Sequence, residues 1–206
     1  MKRIFWGLVV IIALVACTVK MSTSINVSDL LSSENKKLVV DLQVLVMSCS
    51  EDNIQRIQTA FEKRKIKAHY NKCGSTDVFN EYASFSLSIP LIKYTTKDAL
   101  PDADIAFVVM SDALALITAS DFASILDSGS EFDDKITISS IEFSLVNDRD
   151  SDFVIKPTLA FVDEKPVYQE TVIVPAFSKV LIKLPDVANK LLEQSGKSYM
   201  ILKFER

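Results

Sequence analysis

The stretch Tyr82–Tyr94, YASFSLSIPLIKY, decides the fold class of this chain of 206 residues. Phe85, Leu87, Ile89 and Leu91 fall on one side of an extended backbone, and Ser84, Ser86 and Ser88 on the other. A period of two with one apolar face is the pattern of a half-buried β-strand. Pro90 has no backbone N–H to give to a ladder, so the far end of this strand is expected at an edge or a bulge.

Working outward, Leu38, Val40, Leu42, Val44 and Val46 alternate with Asp41 and Gln43 in the same way, and Cys49 closes that strand. Ser50 is a suitable helix N-cap, followed by Glu51 and Asp52 in the first turn. Ile54, Ile57 and Phe61 then share one helical face. Lys63, Arg64 and Lys65 stand at the other end, where cations offset the helix dipole. A second strand carries Ala68 and Tyr70 towards Cys73 and Gly74. Residues 105–118 read as two apolar strands turning at Ser111-Asp112, with a helix over 112–118 as the competing reading. A short helix over 120–129 follows, capped by Ser120. The apolar phase switches at Ser139-Ser140, which predicts a bulge. Strands are expected over 153–162, 167–174 and 179–184, with a turn at 162–166. A last helix starts at Pro185-Asp186 with Val187, Leu191 and Leu192 inward, and 198–205 is a terminal strand. The sum is an α+β chain: mostly antiparallel sheet, about three short helices, and a second half resembling a small immunoglobulin-like β-sandwich. That likeness is of fold alone and carries no function.

The chain begins MKRIFWGLVVIIALVAC. Lys2 and Arg3 precede an apolar run from Ile4 to Ala16, which is short of the ~20 residues a spanning helix needs. A basic start, a short apolar core and small residues at its end make a secretory signal peptide. Leu14-Val15-Ala16-Cys17 resembles the lipobox of bacterial lipoproteins. That resemblance implies cleavage before Cys17, diacylglycerol on its thiol and an acyl chain on the new amino group. It places the protein on the periplasmic side of the cell envelope, anchored in the membrane. By the enterobacterial sorting rule, Thr18 rather than aspartate after the cysteine favours the outer membrane over the inner. No cofactor beyond the covalent lipid is expected.

Lys and Arg number 23 against 27 Asp and Glu, a net charge of −4. Loss of Lys2 and Arg3 makes the mature chain more acidic still, about −6, which argues against nucleic acid as a partner. Glycine (4) and proline (6) are scarce, so a Gly-rich phosphate loop is excluded. Cys49 and Cys73 form an isolated pair in an oxidising compartment, and a disulfide between them is expected.

No pattern of residues points strongly to catalysis. The single histidine, His69, has no partner motif, and neither G-x-S-x-G nor H-E-x-x-H occurs. The acidic groups Asp98/Asp102/Asp104 and Asp133/Asp134/Asp148/Asp150/Asp152 lack the ordered spacing of a calcium loop and read as solvated turns. The basic run Lys63, Arg64, Lys65 and Lys67 is the candidate contact for an acidic partner or for anionic lipid head groups. The apolar stretches 105–110 and 172–177 read as core strands, with lining of an acyl groove as the other reading.

The expected organisation is a signal peptide (1–16), a lipidated N-terminus and polar tether (17–36), an α+β part (37–130) and a β-rich part with one helix (131–206). Cys49, Cys73-Gly74 and FNEYASFSLSIP (79–90) resemble small lipoproteins carried by phages, prophages and plasmids, over about 38–128. The resemblance implies a role at the host envelope and transfers no functional residues. The reading is a non-enzymatic envelope interaction module with a protein partner. A lipid or small-hydrophobe carrier is the alternative, and a hydrolase the remote one.

Overall fold

The structure is a computed structural model. It describes residues 18–46, 48–63, 65–75, 81–94, 105–118, 137–195 and 198–205. Residues 1–16, expected to be a signal peptide, Cys17, Arg64, the stretch 120–129 and the aspartates 98, 102, 104, 133 and 134 lie outside these residues. The described chain is mostly strand: β1 (Thr18–Asn26), β2 (Lys36–Val46), β3 (Ala68–Ser75), β4 (Glu81–Lys93), β5 (Ile105–Val109), β6 (Ala113–Thr118), β7 (Thr137–Val146), β8 (Phe153–Pro157), β9 (Ala160–Val162), β10 (Lys165–Val167), β11 (Val172–Val174), β12 (Lys179–Lys183) and β13 (Ser198–Phe204). Three helices accompany them among the described residues: α1 (Val27–Leu31), α2 (Glu51–Lys63) and α3 (Asp186–Ser195).

All thirteen strands belong to one curled sheet, in the order β10-β9-β12-β7-β1-β2-β4-β5-β6-β13-β8-β11, with β3 also paired to β4. The β1–β7 and β4–β5 pairs are parallel and the rest antiparallel. The curl brings β5 against β7, where the Phe107 and Phe143 rings meet edge-on at 6.1 Å between centroids. Val40, Leu42, Phe85, Leu87, Ile89, Ile141, Phe143 and Leu145 all point into one core, as their period-two spacing requires. Strands β5 and β6 are buried along their whole length. Ala106, Val108 and Ile117 form a second small cluster with Ile92 and Tyr94, on the face away from the main core. The core reading of 105–118 therefore holds, and 112–118 is strand rather than helix.

The polar stretch after Cys17 is the main departure from expectation. Residues 18–26 are not a tether. They form β1, hydrogen-bonded on both edges, with Val19 opposite both Val44 and Ile138. Val19, Met21 and Ile25 enter the core while Lys20 and Ser24 face water. α1 follows at once and buries Val27 and Leu30. Serines and a lysine on the outer face, with a half-buried Thr23 among the inward residues, give this one-sided strand the composition of a linker, although Val19, Met21 and Ile25 are apolar. The Ser28 hydroxyl and backbone N–H both donate to the Asp148 carboxylate. Burial pushes that carboxyl up, but the two Ser28 bonds outweigh it and hold the group below its ordinary range.

Two further details differ. Pro90 is not on an edge strand, since β2 pairs with β4 from Lys36↔Leu91 to Val46↔Glu81. On its other edge β4 pairs with β3 up to Leu87 and with β5 from Leu91. The Ser88 N–H donates to Lys67 on that side, so the Pro90 nitrogen, two residues on, points into the gap between the two partners. In α3, Leu192 is buried as expected, but Val187 is 51 % exposed while Ala188 and Asn189 are buried; the Leu191 side chain lies outside the described residues. The expected bulge is present, since the β1–β7 register skips Ser139 between Val19↔Ile138 and Lys20↔Ser140. The part after residue 130 shares the same sheet as the first: β7 pairs with β1, and β13 with β6.

Candidate functional site at the bridged helix and its sheet edge

Helix α2 is held at both ends. At its start the Ser50 hydroxyl accepts the Asn53 N–H at 3.4 Å, and the Ser50 carbonyl accepts the Ile54 N–H at 3.1 Å. At its end Lys65 takes a left-handed conformation, φ 59°. The Lys65 N–H donates to Glu62 and the Ile66 N–H to Phe61, the paired bonds of a Schellman cap. Glycine is the usual residue there; a lysine costs about 1 kcal/mol. Ile54, Ile57, Ala60 and Phe61 are buried. Phe61 packs on Phe85 at 6.1 Å, and Tyr70 meets the same ring edge-on at 5.7 Å. The helix thus covers the inner side of β3 and β4.

The Cys49–Cys73 disulfide ties the residues just before α2 to the end of β3, with Cα atoms 6.1 Å apart. The Cys49 N–H also donates to Glu81 Oε2 at 2.6 Å, a contact no sequence pattern announces. Cys49, Cys73 and Glu81 bring three potential metal-ligand atoms within 4.8 Å of one another. Sulfurs joined to each other are not thiolates, so this trio has no cysteine ligand to offer. Gly74 is needed at the end of β3: the Tyr82 ring of the neighbouring strand lies 2.3 Å from where a Cβ would stand. Reduction of the bridge frees a loop of 24 residues' separation and is expected to lower unfolding stability by about 3 kcal/mol. Denaturant midpoints measured with and without reductant check this. Coincident midpoints would contradict it.

His69 is exposed on the outer face of β3, opposite Ser86. Ser86 in turn lies opposite Asp41. A hydrolase triad needs the histidine between serine and carboxylate. Here the order across the strands is Asp41, Ser86, His69. The Ser86 hydroxyl donates to Asp41 at 3.3 Å and accepts from Asn71 Nδ2 at 2.8 Å. The histidine makes no hydrogen bond to either, so the arrangement offers no proton path from serine to imidazole.

The basic run is described at Lys63, Lys65 and Lys67, all exposed, where α2 turns into β3. Lys72 joins them further along the strand. The register puts Lys67 beside Ser88, His69 beside Ser86 and Lys72 beside Ser84, so all three share the outer face. Lys36 makes an ion pair with Asp29, away from this run. Two of the three described aspartates of the second acidic group have local roles: Asp148 holds Ser28, and Asp152 accepts the Ala176 N–H at 3.1 Å, while Asp150 is exposed. Asn147, fully buried, was not legible from sequence. Its Nδ2 reaches the carbonyls of Ser151, Val174 and Pro175 and ties the turn after β7 to the segment after β11.

In 172–177 the core reading is only partly met. Val174 is buried, whereas Ile173 and Phe177 are exposed, Phe177 to 75 %. No helix among the described residues is long and apolar enough to cross a membrane. A family model described as a domain of unknown function, DUF7424, matches residues 19–206. No curated protein and no solved structure matches the chain.

Proposed function

We propose that this chain, which belongs to the DUF7424 family, is a lipid-anchored protein of the cell envelope. Its domain acts as a non-enzymatic binding module on the periplasmic side. Cys17 carries the diacylglycerol and acyl chains, and Thr18 favours the outer membrane. The observation that carries the compartment is the Cys49–Cys73 bridge, since such bonds persist in oxidising compartments. The envelope role of the phage, prophage and plasmid lipoproteins that residues 38–128 resemble supports the same reading. The second half of the chain is read as an immunoglobulin-like scaffold whose short strands reach both ends of the sheet; that likeness carries no function.

On this reading the domain has no spacer. β1 begins at Thr18, one residue after the anchor, so the bilayer lies against that end of the strand. Val19 is level with Val44, Ala83 and Cys73, and the basic run lies at the opposite end of β3. Along the strand, Lys67 is about 16 Å from the level of Val19, roughly two Debye lengths at physiological salt. Lys67, and Lys63 and Lys65 before it, therefore face a protein partner rather than head groups beside the anchor.

Affinity purification of the intact protein from membranes, with mass spectrometry of co-purifying proteins and lipids, tests this. A reproducible protein partner is expected. A stoichiometric bound lipid with no partner protein would favour the carrier reading instead.

A further inference from the structure

Three strands have an edge without a neighbour among the described residues: β10, β11 and β3. Two of them are blunted against further pairing. β10 is three residues long and contains Pro166. β11 is also three residues long, and Pro175 follows it directly. Short strands and prolines are the usual protection of a sheet edge. β3 has neither: it runs for eight residues without proline.

The pairing with β4 shows which backbone groups of β3 are free. Lys67 accepts from Ser88 on the β4 side. Backbone groups alternate sides along a strand, so those of Ala68 and Tyr70 point away from β4, to the open edge. Side chains alternate too. Ala68 and Tyr70, with Ile66 before them, are half-buried against the core beneath α2. Lys67, His69 and Lys72 stand exposed on the other face. A strand laid on this edge would bury alternate side chains beside Ile66, Ala68 and Tyr70 and bring the others against the cations.

Charge selects the occupant. Among the described residues Lys63, Lys65, Lys67 and Lys72 have no carboxylate in ion-pair distance, and Glu62 is the acid beside them on α2. Glu81, at the far end, is engaged by the Cys49 N–H, and Asp41 by Ser86. A second copy of the chain, paired edge to edge about a two-fold axis, would set Lys67, His69 and Lys72 against the same residues of its mate. We propose that the free edge of β3 receives an extended segment of a partner protein as an added strand, its acidic side chains alternating with apolar ones. Main-chain hydrogen bonds hold such a strand, and the alternate side chains give the selectivity. This rests on the binding-module reading and names the chemistry of the partner.

A short synthetic peptide of alternating glutamate and valine, added to the full-length protein in neutral detergent, tests it. Binding is expected with new hydrogen-exchange protection at Ala68 and Tyr70. The same peptide N-methylated along its backbone should lose both. Lys67→Glu with Lys72→Glu should weaken binding about tenfold. Equal binding of the methylated peptide, unchanged affinity of the charge-reversed protein, or displacement of the peptide by phosphatidylglycerol added in mixed micelles would overturn strand addition. Membrane attachment does not enter this measurement, so its failure stays separate from failure of the lipid anchor.

Discussion

In cells producing Cys17→Ser, the protein is expected to leave the washed membrane fraction almost completely, or to stall as a precursor with its apolar segment uncleaved. A hydroxyl cannot take the thioether-linked diacylglycerol that the lipobox resemblance implies. Acyl chains contribute about 0.8 kcal/mol per buried methylene, and stable attachment takes more than one chain. No helix among the described residues is long and apolar enough to span. No described residue of the sheet is altered, since β1 spans Thr18–Asn26, and the domain is expected to fold as before. Retention of Cys17→Ser on membranes with normal processing would contradict the anchor.

The largest effect on stability is expected at Phe85. Its ring is fully buried and touches Phe61 of α2 and Tyr70 of β3. It therefore joins three elements at the point where the bridge also ties them. Phe85→Ala removes the ring from all three, and the cavity left cannot close without moving α2. A loss of about 3–5 kcal/mol is expected, a large share of the 5–15 kcal/mol typical of a whole domain. Equilibrium denaturation checks it. A loss below about 1 kcal/mol would mean that α2 is not seated on this ring. Serine positions on the outer face of the same strand, such as Ser88, should be nearly neutral.

The strand quoted first in the sequence was legible because its two faces differ sharply in polarity. β2 was legible for the same reason, and α2 because its caps and its apolar face agree. β1 was not. Its outer residues are Lys20, Ser22, Ser24 and Asn26, and the inward ones, Val19, Met21, Thr23 and Ile25, are too few and too mixed to stand out. Only the partners on both edges reveal it as the middle of a sheet. Pro90 misled because a proline normally marks an edge strand. Here it sits in a gap between two partners on one side, which no local pattern encodes. Val187 fitted an inward helical phase, yet the phase that packs is the one carrying Ala188 and Leu192, set by the line of α3 across β7.

The candidate site was half legible. The cysteine pair and the lysines between α2 and β3 could be read off directly. The open edge of β3 and the addition of Lys72 to the cationic face depend on register, which tertiary pairing sets. The bond from Cys49 to Glu81 and the placement of Asn147 likewise arise between residues distant in sequence.

The most direct test of lipid anchoring is the intact mass of the protein extracted from membranes. A chain beginning at Cys17 and carrying the added mass of a diacylglycerol and one amide-linked acyl chain is expected. An unmodified Cys17, or a chain still beginning at Met1, would contradict it.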